Sequence, residues 1–91
     1  GAEFATLDTK KAKEYGIDGG VVINAIGEGL LANQTTVKKG FVIIRAGGKP
    51  VKSLDDLKRI FENAGNSIII EGIYPGYDGL YTYAINELNG N

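Results

Sequence analysis

The paired carboxylates of Asp55 and Asp56 are where acid–base chemistry would first be sought in this sequence. Two neighbouring carboxyls act as general acid and base when an enclosed cleft tunes their pKa values. Here the pair falls in the first turn of a predicted helix, where the macrodipole favours negative charge and no enclosure is implied. The chain has no histidine and no cysteine. Ser-His-Asp and Cys-His units are therefore excluded, as are thiolate and imidazole metal centres, and no catalytic residue, metal or cofactor is expected. The stretches "GEG" from Gly27 and "GGK" from Gly47 are not phosphate loops, because neither has the Lys-Ser/Thr helix start or the longer glycine spacing. "NQT" from Asn33 matches a glycosylation sequon and carries little weight alone. Lys10, Lys11 and Lys13 form a small basic face, expected to be solvated.

Composition narrows the classes further. The chain has 91 residues, of which 43% are hydrophobic and 23% charged, with a formal net charge of -1. This is one ordinary globular domain, and its charge gives no reason to expect nucleic acid or an anionic membrane as partner. No apolar run approaches the roughly 20 residues that span a bilayer, and no signal-peptide pattern opens the sequence. The chain reads as a domain excised from a longer protein. The lack of cysteine leaves the redox compartment open. Fourteen glycines are too many for a helical bundle and suit a β-rich fold with several tight turns.

The elements follow from periodicity and punctuation. "AEFATL" alternates as a short half-buried strand, with Ala2, Phe4 and Thr6 on one face. "DTKKAKEYGIDGG" offers Asp8 or Thr9 as N-cap, a helical turn or two through Tyr15, and Gly16 as the stop, after which Ile17 returns to the core. "VVINAI" from Val21 is a buried strand. "GEGLLANQTTV" allows a short helix around Leu30 to Gln34. "GFVIIRA" is a second buried strand, and "GGKPV" turns out of it. "SLDDLKRIFENAG" is the longest helix, with Ser53 as N-cap, Asp56 at the capping-box position and Gly65 just past the end. Leu54, Leu57, Ile60, Phe61 and Ala64 share one of its faces. "SIIIEGI" and "LYTYAINEL" are strands joined by the turn "YPGYDG". The order predicts an α+β, mainly β fold: a five- to six-stranded, partly open antiparallel barrel or sandwich covered by one long helix, with one or two short ones. One domain is expected over residues 1–88, with 89–91 a frayed tail.

Taken in order, these stretches resemble the circularly permuted PDZ domains of bacteria, specifically the C-terminal PDZ domain of Do-type (HtrA/Deg) serine proteases. "GAEF" looks like the family's carboxylate-binding loop entering its peptide-pairing strand. "LDTKKAKEYGIDGGVVI" and "GEGLLANQTTVKKGFVII" are similar to its next two blocks, and "GGKPVKSLDDLKRIF" is the closest stretch. Three departures stand out: Phe41 where the family usually has an acidic residue, Leu31 near a usual proline, and Thr36 near a usual glycine. Phe41 implies apolar burial in place of a loop contact.

The resemblance implies a groove in which backbone N–H groups receive a peptide's terminal carboxylate, the peptide pairs with the adjacent strand, and its last side chain enters an apolar pocket. By position, the loop and strand are Gly1, Ala2, Glu3, Phe4 and Ala5, and the helix presents Leu54, Lys58 and Phe61 across the groove. Against this, "GAEF" could be a strand that only pairs with the sheet, Phe61 and Leu54 could be simple core, and Lys58 a solvated position. Tyr74, Tyr77, Tyr81 and Tyr83 either pack across the last hairpin or form a patch for another domain.

The expected function is that of a non-catalytic module of a periplasmic, trypsin-like serine endopeptidase. It would bind C-terminal or extended hydrophobic segments of peptides and unfolded proteins, with the protease domain, other PDZ domains and further protomers as partners. Nucleic acid and membrane insertion are not expected. The alternative is an assembly contact between protomers, with a degenerate groove.

Overall fold

A computed structural model describes residues 2–27 and 35–86. Gly1, the helix expected at Leu30 to Gln34 and the tail lie outside the described residues. The elements are β1 (Ala2–Thr6), α1 (Thr9–Glu14), β2 (Val21–Ile26), β3 (Val42–Ala46), β4 (Lys49–Pro50), α2 (Leu54–Asn63), β5 (Ile68–Ile73) and β6 (Tyr81–Ile85). They form one six-stranded antiparallel sheet in the order β1-β2-β3-β5-β6, with β4 paired to β3. This is the α+β, mainly β class, consistent with a PDZ-like fold. Neither described helix is long and apolar enough to cross a membrane.

The strands form where β-branched residues alternate, and each face of the sheet buries its own half of that alternation. One face carries Val21, Ile23, Phe41, Ile43, Ile70 and Ile85 beneath Leu57 of α2. The opposite face carries Val42 against Leu7 and Ala12, with Tyr15 and Ile17 packed around them. The two helices therefore cover opposite faces of the sheet.

Both helices start as their sequences predict. The Asp8 carboxylate accepts the Lys10 N–H at 3.2 Å at the head of α1. At its end, Gly16 at φ 73° lets two N–H groups fold back, Gly16 to the Lys13 carbonyl at 3.1 Å and Ile17 to the Ala12 carbonyl at 3.0 Å. This Schellman closure is what returns Ile17 to the core. At α2, Ser53 Oγ accepts the Asp56 N–H at 3.3 Å and Asp56 Oδ2 accepts the Lys52 N–H at 3.0 Å. The reciprocal bond thus reaches one residue further back than in a standard capping box.

Two features depart from the sequence reading. "GGKPV" does more than turn: Gly47 and Gly48, both at positive φ, make a two-residue hairpin that pairs Lys49 and Pro50 with β3, as consecutive left-handed residues do. Gly65 is not a left-handed stop. The helix ends because Ala64 becomes extended, at φ -75° and ψ 153°, and a β-carbon on Gly65 would have nothing within 4 Å. Gly65→Ala is therefore expected to change stability by no more than about 0.5 kcal/mol in urea denaturation. A left-handed cap would instead lose on the order of 1 kcal/mol.

Candidate functional site

The expected groove is built on β1, which begins the sheet and pairs on one side only, with β2. Among the described residues its outer side has no strand partner. The Leu7 N–H bonds the Gly20 carbonyl at 2.9 Å, so odd positions direct their main-chain groups toward β2. Alternation then turns the N–H and C=O of Ala2, Phe4 and Thr6 to the outer edge. A β-bulge opposite Glu3 and Phe4, where β2 carries the extra residue Asn24, adds local twist at that edge.

The second wall is α2, and a hydrogen bond that sequence reasoning missed fixes it in place. Thr6 Oγ1 accepts the Leu54 N–H at 2.9 Å, joining the end of β1 to the first turn of α2 across 48 residues. The bond satisfies one of the orphan N–H groups of that turn. The only sequence signal was that Thr6 shares the face of Ala2 and Phe4. That face packs toward α2: Phe4, Leu54 and Phe61 are all half-buried against the same core cluster.

The sequence-predicted site residues therefore divide. Phe4, Leu54 and Phe61 are brought onto one apolar cluster, part core and part accessible. Ala2 and Ala5 are half-buried in β1, Glu3 is exposed on it, and Lys58 is exposed on α2. Gly1 lies outside the described residues.

The paired carboxylates have structural surroundings. Asp55 is exposed, while Asp56 bonds the Lys52 N–H and the Arg59 guanidinium. The Lys52 N–H holds the Asp56 carboxyl below the usual range, opposed by partial desolvation and aided by Arg59. A general acid at neutral pH needs the reverse shift. Among the described residues no group of three acidic side chains could hold a metal ion.

A second constellation surrounds Phe41, which is fully buried. Its ring lies 5.0 Å from that of Tyr74 and 5.1 Å, edge-on, from that of Tyr83. Tyr74 in turn meets Tyr81 at 4.9 Å and 85°. The Tyr74 and Tyr83 hydroxyls are 2.7 Å apart, and Tyr74 also accepts the Lys38 N–H at 2.9 Å. The hairpin is thus packed across its strands by Tyr74, Tyr81 and Tyr83, while Tyr77 projects into solvent. Its turn follows from Pro75 and Gly76: Gly76 is at φ 93° and the Tyr77 N–H returns to the Tyr74 carbonyl at 2.9 Å, the geometry of a type II turn.

This packing shifts one phenol. Burial, then the bond to Tyr74, push the Tyr83 hydroxyl from 10.0 up to about 12. Between those values the folded state keeps a proton that the unfolded state has lost, so rising pH favours unfolding. The contribution is complete below pH 10 and disappears as pH passes 12. Tyrosinate absorbance is expected to show a late-titrating phenol that is missing in Tyr83→Phe. The alkaline decline in stability is expected to be shallower in that variant.

Compared with known proteins, the chain matches no family model and no curated protein sequence.

Proposed function

We propose that the chain is a peptide-binding module of PDZ type, which takes C-terminal or extended hydrophobic segments by strand addition to β1. The observation that carries this reading is the Thr6–Leu54 hydrogen bond, which holds the start of α2 beside an edge strand whose outer side has no strand partner among the described residues. A peptide added there would meet the outward main-chain groups of Ala2 and Phe4 and lie against Leu54 and Phe61. Backbone recognition needs no particular side chain, so the small residue Ala2 beside Gly1 suits close approach of a carboxylate. Lys58, exposed on α2, adds a cation on the opposite wall.

The resemblance to Do-type serine proteases extends the proposal to the parent chain. The module would be a regulatory, non-catalytic part of a periplasmic endopeptidase, delivering unfolded segments to it. Single-site affinity near ~1 μM would gain from several modules acting together in an oligomer. A second reading, an assembly contact between protomers, is favoured by the exposure of Tyr77 and Leu80 on the last hairpin.

An amide-shift NMR titration with short peptides ending in a free hydrophobic carboxylate separates the two. Saturable shifts over Ala2 to Ala5 and Leu54 to Phe61, lost when the peptide is amidated, are expected. No shifts there would overturn the groove and leave the assembly reading.

A further inference from the structure

The last hairpin carries a cleft of about 620 Å³ lined by Tyr74, Tyr77, Tyr81 and Tyr83 together with Lys38 and Lys39. It belongs to the β6 end of the sheet, and β1 is the opposite end. Its size lies within the range of ligand-binding pockets.

We propose that this cleft is a second recognition site, for an acidic, proline-containing segment in the polyproline II conformation. Three observations support that occupant. The cleft is lined mainly by tyrosine rings and hydroxyls of the β5–β6 hairpin, whose ladder from Ile68–Ile85 to Gly72–Tyr81 engages the inner side of β6. A ligand there meets ring faces and hydroxyls, which suits a polyproline II chain because its carbonyls need no ladder and its rings stack on aromatics. The rings of Tyr74 and Tyr81 stand at 85°, which makes a wall and a floor for a proline ring.

The third observation is charge. Among the described residues lining the cleft none is a carboxylate, whereas Lys38 and Lys39 are both exposed at its rim. Neither takes part in the ion pairs Arg45–Glu71 and Arg59–Asp56. The rim is also anchored: the Lys38 N–H bonds Tyr74 Oη at 2.9 Å and the Gly40 N–H bonds the Ile23 carbonyl at 2.8 Å. The backbone that carries the two lysines is therefore held beside the rings, and their positive charge is complementary to an acidic side chain next to proline.

The test is an NMR titration of the domain with a peptide of about ten residues alternating proline with glutamate, capped at both ends so that no free carboxylate can enter the β1 groove. Saturable shifts are expected at Lys38, Lys39, Tyr77 and Tyr81, with none over Ala2 to Ala5. The same peptide with lysine for glutamate should bind at least ~10-fold more weakly, and the Lys38→Glu/Lys39→Glu variant should reverse that preference. Tyr77→Ala, at a side chain 72% exposed, should weaken binding without unfolding the domain.

Several results would overturn the proposal: no saturable binding, equal binding of both peptides, or shifts confined to β1 and α2. Tighter binding of an acidic oligosaccharide would also overturn it, as would shifts at the same tyrosines on concentrating the domain alone. The site is independent of the β1 groove, so failure of either leaves the other standing.

Discussion

Phe41→Ala is expected to remove about 3–5 kcal/mol of stability, the usual cost of deleting a fully buried aromatic ring. A domain of this kind has only about 5–15 kcal/mol in total, so the variant will be near its unfolding threshold at ambient temperature. The loss has two parts. The ring leaves water completely, and the space it vacates cannot collapse easily. On one side stands Gly72, which has no side chain to move inward. On the other stand Tyr74 and Tyr83, held by their hydroxyl contact and by the Lys38 N–H. The edge-on contact with Tyr83 adds roughly 0.5–1.5 kcal/mol beyond area alone. Phe41→Leu keeps most of the volume and should lose less than about 1.5 kcal/mol. Phe41→Asp restores the acidic residue of the resembled family and should not fold, because it would put a charge at a fully buried position among aromatic rings. Urea denaturation of the three variants checks the order. A loss below about 1 kcal/mol for Phe41→Ala would mean that the cluster is not built around this ring.

That residue also marks how far the sequence could be read. The departure at Phe41 implied extra buried apolar surface, and the ring is indeed the centre of the aromatic cluster. Strand positions were legible because β-branched runs are bounded by glycine, as in "VVINAI". The caps at Asp8 and Ser53 were legible because they are local chemistry. What escaped was set by tertiary contact. Thr6 bonding Leu54 links residues far apart in sequence, and no local pattern encodes it. Gly65 looked like a helix stop, yet the chain leaves α2 through an extended Ala64 so that Ile68 can enter the sheet opposite Ile85. The hairpin at Gly47 and Gly48 was seen as a turn, but its short return strand depends on pairing with β3. For the candidate site, residue identities on β1 and α2 could be proposed from the resemblance. That Phe4, Leu54 and Phe61 meet on one cluster required the fold.

The same physics bears on why a groove and a cleft can share so small a domain. The central strands β2, β3 and β5 bury one face on the main core, with Val42 buried on the other, and supply the rigid part. The edge strands β1 and β6 keep an unpaired side among the described residues, and both proposed ligands engage these ends of the sheet. An open edge is a liability unless it is short, twisted or used. β1 has five residues and a bulge opposite it, which limits unwanted pairing while leaving room for a short peptide.

Gly72→Ala is the other substitution expected to abolish the fold, and it tests the centre of this sheet. A β-carbon at Gly72 would lie 2.0 Å from the Val42 carbonyl oxygen and 2.8 Å from Cζ of Phe41. The first distance is to backbone, so no rotamer change relieves it. Val42 cannot withdraw, because it pairs with β2 through Val22 and with β5 through Ile73, and its own side chain is buried on the opposite face. Gly72 cannot withdraw either, since it is held between Ile43 and Tyr81. Relief therefore requires separating β3 from β5, which disrupts both core faces together. A loss of more than about 4 kcal/mol is expected, beyond the ordinary range for point changes. Gly20→Ala meets Cγ1 of Val42 at 2.8 Å and the Ile43 carbonyl at 2.9 Å and should lose less, because smaller adjustments clear those contacts. Gly65→Ala serves as the neutral control. Circular dichroism and urea denaturation should rank the three variants with Gly72 worst and Gly65 unchanged. A Gly72→Ala protein that folds with near-normal stability would require β3 and β5 to be further apart than described, and with them the seat of Phe41 and the tyrosine cleft.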